Sequence, residues 1–247
     1  MKHHLDPQNA AFVQAIADIP APHVLGPDKT FAAFESLQLH EPAMDNETET
    51  VHVPAEDGST TKVVSFRPRL AKKPCNMIFY SHGGGWIMGS STSFAPAQRF
   101  PYQFEQTYNV LEYFVRNGQG HGLSVDSIAL ADDNAGHMSI AMMQMLIERK
   151  LSVNIGQIIL FNPVTVTDTH KNLASYTTFK DDLFLPAATQ DWTIETMLPN
   201  QSDRETALAS PLRYLADEIL VKFAPTTIIL AAVDPLLDEG LEFGKRL

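Results

Sequence analysis

Asn76-Met77-Ile78-Phe79-Tyr80-Ser81 runs directly into His82-Gly83-Gly84-Gly85-Trp86. A short apolar run stopped by glycine reads as a buried strand. Three consecutive glycines at its end leave backbone N–H groups that no side chain shields. Donors arranged in this way can point into a cavity and hold the oxyanion of a tetrahedral acyl-transfer intermediate. A bare triple glycine would read equally well as a flexible loop, so the surrounding chain has to decide.

Working outward, the pattern alternates between strand and helix. Residues 49–53 and 61–67 are β-rich and flank a Glu56-Asp57-Gly58 turn. Residues 102–116 carry Phe104, Tyr108, Leu111 and Val115 at helical spacing. Ser127–Ala131 reads as a buried strand, followed by a helix over 135–149 with Met138, Ala141, Met142, Met145 and Leu146 inward. Ile158–Phe161 is a strand stopped by Asn162-Pro163, and Thr226–Val233 is the last one, ending at Asp234-Pro235. Near the amino terminus, residues 7–19 place Phe12, Ile16 and Ile19 on one helical face, prolines 20, 22 and 27 interrupt, and a short helix is predicted over 28–38. Residues 170–205 read as irregular, with Trp192 in a helix. Continuous apolar strands alternating with amphipathic helices give an α/β fold, a mostly parallel sheet covered on both faces. Functional groups in such sheets gather at the carboxyl ends of the strands. Here those ends are 82–86, 132–136 and 234.

Composition narrows the chemistry. With 247 residues, 44% hydrophobic and 19% charged, the chain suits one sizeable core. A formal charge of −11 argues against a nucleic-acid partner, which needs cations against its phosphates. Cys75 is the single cysteine, so there is no intramolecular disulfide and no multi-cysteine zinc site. No metal site is expected, since Asp132-Asp133 and Asp181-Asp182 are adjacent pairs without further ligands. No window approaches the ~20 apolar residues of a membrane span, and the amino terminus has no apolar leader. A cytoplasmic location is the expectation.

The three strand ends, taken together, resemble the hormone-sensitive-lipase-like esterases of the α/β-hydrolase fold. His-Gly-Gly-Gly-Trp after a strand is their oxyanion-hole signature. Ala131-Asp132-Asp133-Asn134-Ala135-Gly136-His137 stands where the family carries Gly-Asp-Ser-Ala-Gly-Gly. Ala95-Pro96-Ala97-Gln98-Arg99-Phe100-Pro101, Ser210-Pro211-Leu212 and Asp234-Pro235-Leu236-Leu237-Asp238-Glu239-Gly240 are similar to further family segments. The resemblance implies Gly83, Gly84 and Ala135 as oxyanion donors, Asp234 as the triad acid, Asn134 at the nucleophile position and Trp86 as a substrate-pocket wall or a packing residue. It implies no cofactor and a small acyl ester or apolar small molecule as ligand.

Three departures from the family pattern stand out. Asn134 replaces the serine, and an amide nitrogen delocalised into its carbonyl does not attack an ester. Asp132 replaces a glycine and is expected to set a repelling carboxylate beside a developing oxyanion. All nine histidines precede Asp234, whereas the triad histidine follows the acid in this fold. His137, beside the elbow, is the first candidate for a substitute base, although a residue on the following helix normally points away. Between Trp86 and Ala95 a helix and strand of roughly 20–30 residues are also expected to be absent. The resulting picture is an α/β-hydrolase fold lacking one internal strand and the last strand and helix. It comprises N-terminal cap helices over 1–45 and a core over 46–247, with 170–205 as a cap insertion. Its ester-hydrolase chemistry is expected to be impaired or lost. A non-catalytic small-molecule-binding protein, a weakly active carboxylesterase with another nucleophile, and a decayed or incompletely spliced product are the alternatives. Strand 226–233, left as an open edge, is expected to be a surface for self-association.

Overall fold

The computed structural model describes residues 7–26, 29–30, 32–33, 45–55, 57–86, 100–133, 137–168, 172–181 and 186–247. Strands β1 (Asn46–Pro54) and β2 (Thr60–Pro68) form an antiparallel hairpin. Its turn is fixed by the Ser59 N–H donating to the Asp57 carboxylate at 2.9 Å and by Gly58 at φ 82°. Strands β3 (Cys75–Ser81), β4 (Leu123–Asp132), β5 (Ile155–Phe161) and β6 (Thr226–Ile229) form a second, parallel sheet in the order β3-β4-β5-β6. Among the described residues the two sheets do not pair with each other.

Helices α1 (Pro7–Ile16) and α2 (Pro22–Leu25) precede the hairpin, and α3 (Tyr102–Asn117) and α4 (His137–Arg149) flank β4 in sequence. Helices α5 (Ala174–Thr178), α6 (Ala187–Met197) and α7 (Leu237–Arg246) follow β5 and β6. Further single helical turns lie at Gln201–Arg204, Pro211–Tyr214 and Asp217–Leu220. The core lies where the helices meet the middle of the sheet. Ile128 and Leu130 of β4, Ile158 and Leu160 of β5, and Leu111, Met142 and Phe243 of the helices are fully buried. Helices α3 and α4 are also joined at their surface, where the Arg149 guanidinium lies 4.3 Å over the Tyr108 ring and donates to Glu105 at 2.6 Å.

Strand order follows the sequence expectation, but several boundaries differ. β6 ends at Ile229, not Val233, because its partner β5 turns away at Asn162, which has φ 42°. The Asn162 side chain then accepts the Ala231 N–H at 2.8 Å, replacing a ladder bond. Residues 170–205, read as irregular, contain α5 and α6. Pro22, read as a breaker, starts a helical turn, since its missing N–H is unneeded at a first position. The helix predicted over 28–38 lies largely outside the described residues.

The hairpin is held along β1, toward its turn, rather than by the sheet. Val51 and Val53 are buried, Asn109 of α3 donates to the Pro54 carbonyl at 2.9 Å, and His121 bonds Glu49 at 2.9 Å. Backbone amides of residues 128–131, paired on both sides and buried, should therefore exchange slowest in the protein. Those of β2 should exchange roughly tenfold faster or more. Equal protection of β2 and β4 by native-state hydrogen exchange would show that the hairpin is locked to the sheet.

Candidate active site

The register of β3 on β4 sets Ser81 opposite Asp132. The chain leaves both strands side by side at the carboxyl edge, so the glycine loop 82–86 and the segment from Asp133 emerge as neighbours. Tyr80 ties the two ends together, its hydroxyl donating to the Asp133 carboxylate at 2.7 Å. Burial and the Asp133 charge together push the Tyr80 phenol above its ordinary range. Asn134 and Ala135, the nucleophile position and a predicted oxyanion donor, lie outside the described residues. The described chain resumes at His137, at the start of α4.

Gly84 (φ 121°), Gly85 (φ 57°) and Trp86 (φ 61°) lie consecutively in the left-handed region, where glycine is tolerated and tryptophan is strained. The bend is held from three sides. The His82 Nδ1–H donates to the Gly83 carbonyl at 2.8 Å. A Cβ on Gly85 would stand 2.9 Å from the Thr193 methyl of α6. The buried Trp86 indole meets the His137 ring edge-on, with centroids 5.4 Å apart. Trp86 thus packs against the start of α4 while it also lines the adjoining cavity.

His137 is fully buried and is also in edge contact with Phe104. Its Nε2–H donates to the Leu208 carbonyl, which leaves Nδ1 as the bare ring nitrogen, without a hydrogen-bond partner. Burial holds its pKa down at about 4, against the pull of that carbonyl. A fully buried imidazole held in this way anchors the start of α4.

Asp132 does not act as the free repelling carboxylate expected from the sequence. It is buried and accepts the Ser139 N–H at 2.7 Å, one of the unpaired donors in the first turn of α4. Burial, aided slightly by the Asp133 charge, pushes its carboxyl up to about 7, against that hydrogen bond. Replacement of the family's glycine thus gives β4 a side chain that caps the next helix.

Asp234 lies at the same edge of the sheet, beyond β5. It is buried, and its Oδ1 accepts the Leu236 N–H at 2.8 Å. Beside it is an acidic cluster whose partners the sequence reading did not identify. Fully buried Glu239 accepts the Thr165 N–H and, at 3.1 Å, the Tyr176 hydroxyl. The Ser175 N–H donates to Asp238 at 2.8 Å. Glu239 belongs to the quoted segment 234–240, so the resemblance could have marked it; Thr165, Ser175 and Tyr176 carry no sequence signal. Helices α2 and α6 also meet, beside the glycine loop. His23 bonds Thr189 at 2.9 Å on α6, the helix that packs on Gly85.

Residues 93–247 match the alpha/beta hydrolase fold family. An esterase of Gibberella moniliformis is 52% identical over 267 aligned positions that cover 98% of this chain and 83% of that protein. The chain belongs to the α/β-hydrolase esterase family. An esterase of Fusarium pseudograminearum is 48% identical, with 98% of this chain and 82% of the relative covered. Carboxyl esterase 2 of Tuber melanosporum superposes with a TM-score of 0.87 over 99% of this chain and 85% of its own. Its 23% identity makes that a likeness of fold. An alignment of 267 positions against 247 residues leaves at least 20 positions (267 less 247) at which this esterase-family chain has no residue.

Two predictions follow from this geometry. Gly85→Ala adds a Cβ at positive φ against Thr193 and should destabilise the protein by about 1–3 kcal/mol, measured by urea unfolding. The second concerns Glu239, whose carboxyl is pushed up by burial to about 8 from an ordinary 4.5. The native state then binds more protons than the unfolded state between those values. This group's contribution is therefore complete below pH 4.5 and is lost as pH rises to about 8. Glu239→Gln should remove that loss, so wild type should weaken relative to the variant by up to roughly 1.4 kcal/mol per pH unit across the window. Parallel stability–pH curves for the two proteins would contradict the assignment.

Proposed function

We propose that this esterase-family chain accepts small acyl esters or apolar small molecules at the carboxyl ends of β3 and β4 but does not turn esters over. The observation that carries the reading is Asn134, which stands where the family has its nucleophilic serine, between the matching residues Asp133 and Ala135. Its amide nitrogen has its lone pair in the carbonyl system and cannot form the acyl-enzyme. The state of His137 supports the same reading. A buried, neutral ring bonded to Leu208 cannot serve as the base for a substitute nucleophile. Gly83, Gly84 and Trp86, at the carboxyl end of β3, supply a surface on which an acyl group can rest. Asp234 stands in the sequence where the family has its triad acid, so the altered position is the nucleophile's.

Purified protein should hydrolyse p-nitrophenyl acetate and butyrate no faster than the same protein after heat unfolding. This control matters, because a scaffold that has lost a triad member can still retain roughly 10³–10⁴-fold over water. Diethyl p-nitrophenyl phosphate should leave no covalent adduct by intact-mass spectrometry. Asn134→Ser should not restore steady turnover, since His137 faces Leu208 and His82 is turned onto its own neighbour's carbonyl. Ester turnover by the unaltered chain that this organophosphate abolishes would overturn the reading. Turnover by Asn134→Ser would show that one of these histidines rotates into place as a base.

A further inference from the structure

The ester reading leaves unexplained a half-open cavity of about 520 Å³ between the hairpin and the parallel sheet. Its walls are residues 61–68 of β2 and 75–83 of β3 and the loop after it, every residue in both runs. A pocket on the face of a sheet is lined by alternate residues, because side chains alternate in direction. Lining by consecutive residues means that the two strands present their edges to this space. Among the described residues β3 pairs with β4 alone and β2 with β1 alone. Two rows of main-chain donors and acceptors therefore face each other across one slot.

Side chains agree with the backbone. Among the described residues Thr61 Oγ1, Trp86 Nε1 and Asp132 Oδ1 are buried without hydrogen-bond partners, and all three residues line the slot. Each of these residues is more than nine-tenths buried. Trp86 can only donate, so the occupant must offer an acceptor there, and the Asp132 carboxyl can meet either a donor or an acceptor. Val110, Phe114 and Met138 give the slot an apolar floor. At its outer rim Phe66, Ile78 and Tyr80 are 68%, 67% and 55% exposed. Asp132 and Asp133 place negative charge at one end.

We propose that the slot takes an extended peptide segment of another protein as an added strand, hydrogen-bonded to β2 on one side and β3 on the other. An apolar small molecule would leave both rows of backbone groups unmet, whereas a peptide strand supplies N–H and C=O groups on each side. The 9 residues of β2 and 7 of β3 set the length of the paired segment. Apolar floor and apolar rim call for β-branched residues on both of its faces, without proline, and the acidic end calls for a terminal lysine or arginine. At least 20 positions that the fungal relative carries have no counterpart in this chain, which agrees with a strand supplied from outside.

The test uses the intact 247-residue protein and a fluorescein-labelled peptide, Lys-Val-Thr-Val-Val-Ile-Thr-Val-Lys. Binding is read by anisotropy and hydrogen exchange, with no ester turnover involved, so failure of the ester reading would leave the result untouched. The peptide should bind saturably and slow exchange at amides of both 60–68 and 75–81 by roughly tenfold or more. The same peptide N-methylated at every second residue should bind at least about tenfold more weakly, since it loses one row of hydrogen bonds. The proposal is overturned by absence of binding or by equal binding of the N-methylated peptide, which would mark a merely apolar cavity. Full protection of both edges in the protein alone would also overturn it: concentration-independent protection would mean filling from within the chain, and protection rising with protein concentration would mean filling by a second copy.

Discussion

Parallel pairing of β3 with β4, in the register that sets Ser81 against Asp132, is the constraint on which the rest of the molecule depends. Beyond β3 the chain enters a run of positive-φ residues, and the last residue of β4, Asp132, caps the helix that follows. Because the strands are parallel, both exits fall on one edge, and helix α4 starts where the glycine loop bends. A slip of one residue would turn Met77, Ile128 and Leu130 to the opposite face. It would also part Tyr80 from Asp133. The hydrophobic alternation that fixes the core therefore fixes the site.

At the start of α4 two titratable groups have been drawn into structural duty. Asp132 caps the helix and His137 anchors it to the Leu208 carbonyl, and burial shifts both toward their neutral forms. Their pH effects oppose each other. The raised Asp132 carboxyl loses its contribution to stability as pH climbs from 3.8 to about 7, while the lowered His137 loses its contribution as pH falls from 6.5 to about 4. A group neutralised by burial makes a poor acid or base for a substrate outside. Residues that look chemically suggestive in the sequence here hold a helix in place.

What the sequence disclosed followed from how each segment is stabilised. Strands β3, β4 and β5 were legible because continuous apolar runs between paired neighbours have few other solutions. The end of β6 was not, because Leu230–Val233 continues the apolar run after the partner strand has turned away at Asn162. Composition does not record where a partner stops. A helix at Trp192 was legible, but the extent of α6 was obscured for a different reason. Its buried residues include Thr189 and Thr193, satisfied by His23 and by a carbonyl of the helix itself, and Gln190, so polar residues interrupt the apolar pattern of Ile194 and Met197 on its inward face. The position of the glycine loop was legible, but its lock against Thr193 and His137 was not, since both contacts come from distant elements.

The slot between β2 and β3 can be weighed by its energy. A dry cavity costs about 24 cal/mol per Å³ in core-truncation series, so 520 Å³ left empty and dry would cost about 12 kcal/mol. That is as large as the whole stability of a typical domain, about 5–15 kcal/mol. The folded chain therefore cannot hold this space both empty and sealed. Either water enters and satisfies the two strand edges, or a further strand does. Water can reach it, because the slot is half open and its rim side chains Phe66, Ile78 and Tyr80 stand exposed. The fold tolerates the opening because the hairpin gives only Val51 and Val53 to the buried hydrophobic core, while β3 to β6 and the helices close the rest around Ile128, Leu130, Ile158 and Leu160. An open slot thus leaves the sheet intact and exposes main-chain edges, which is the condition under which a strand from outside can be added without unfolding what is already there.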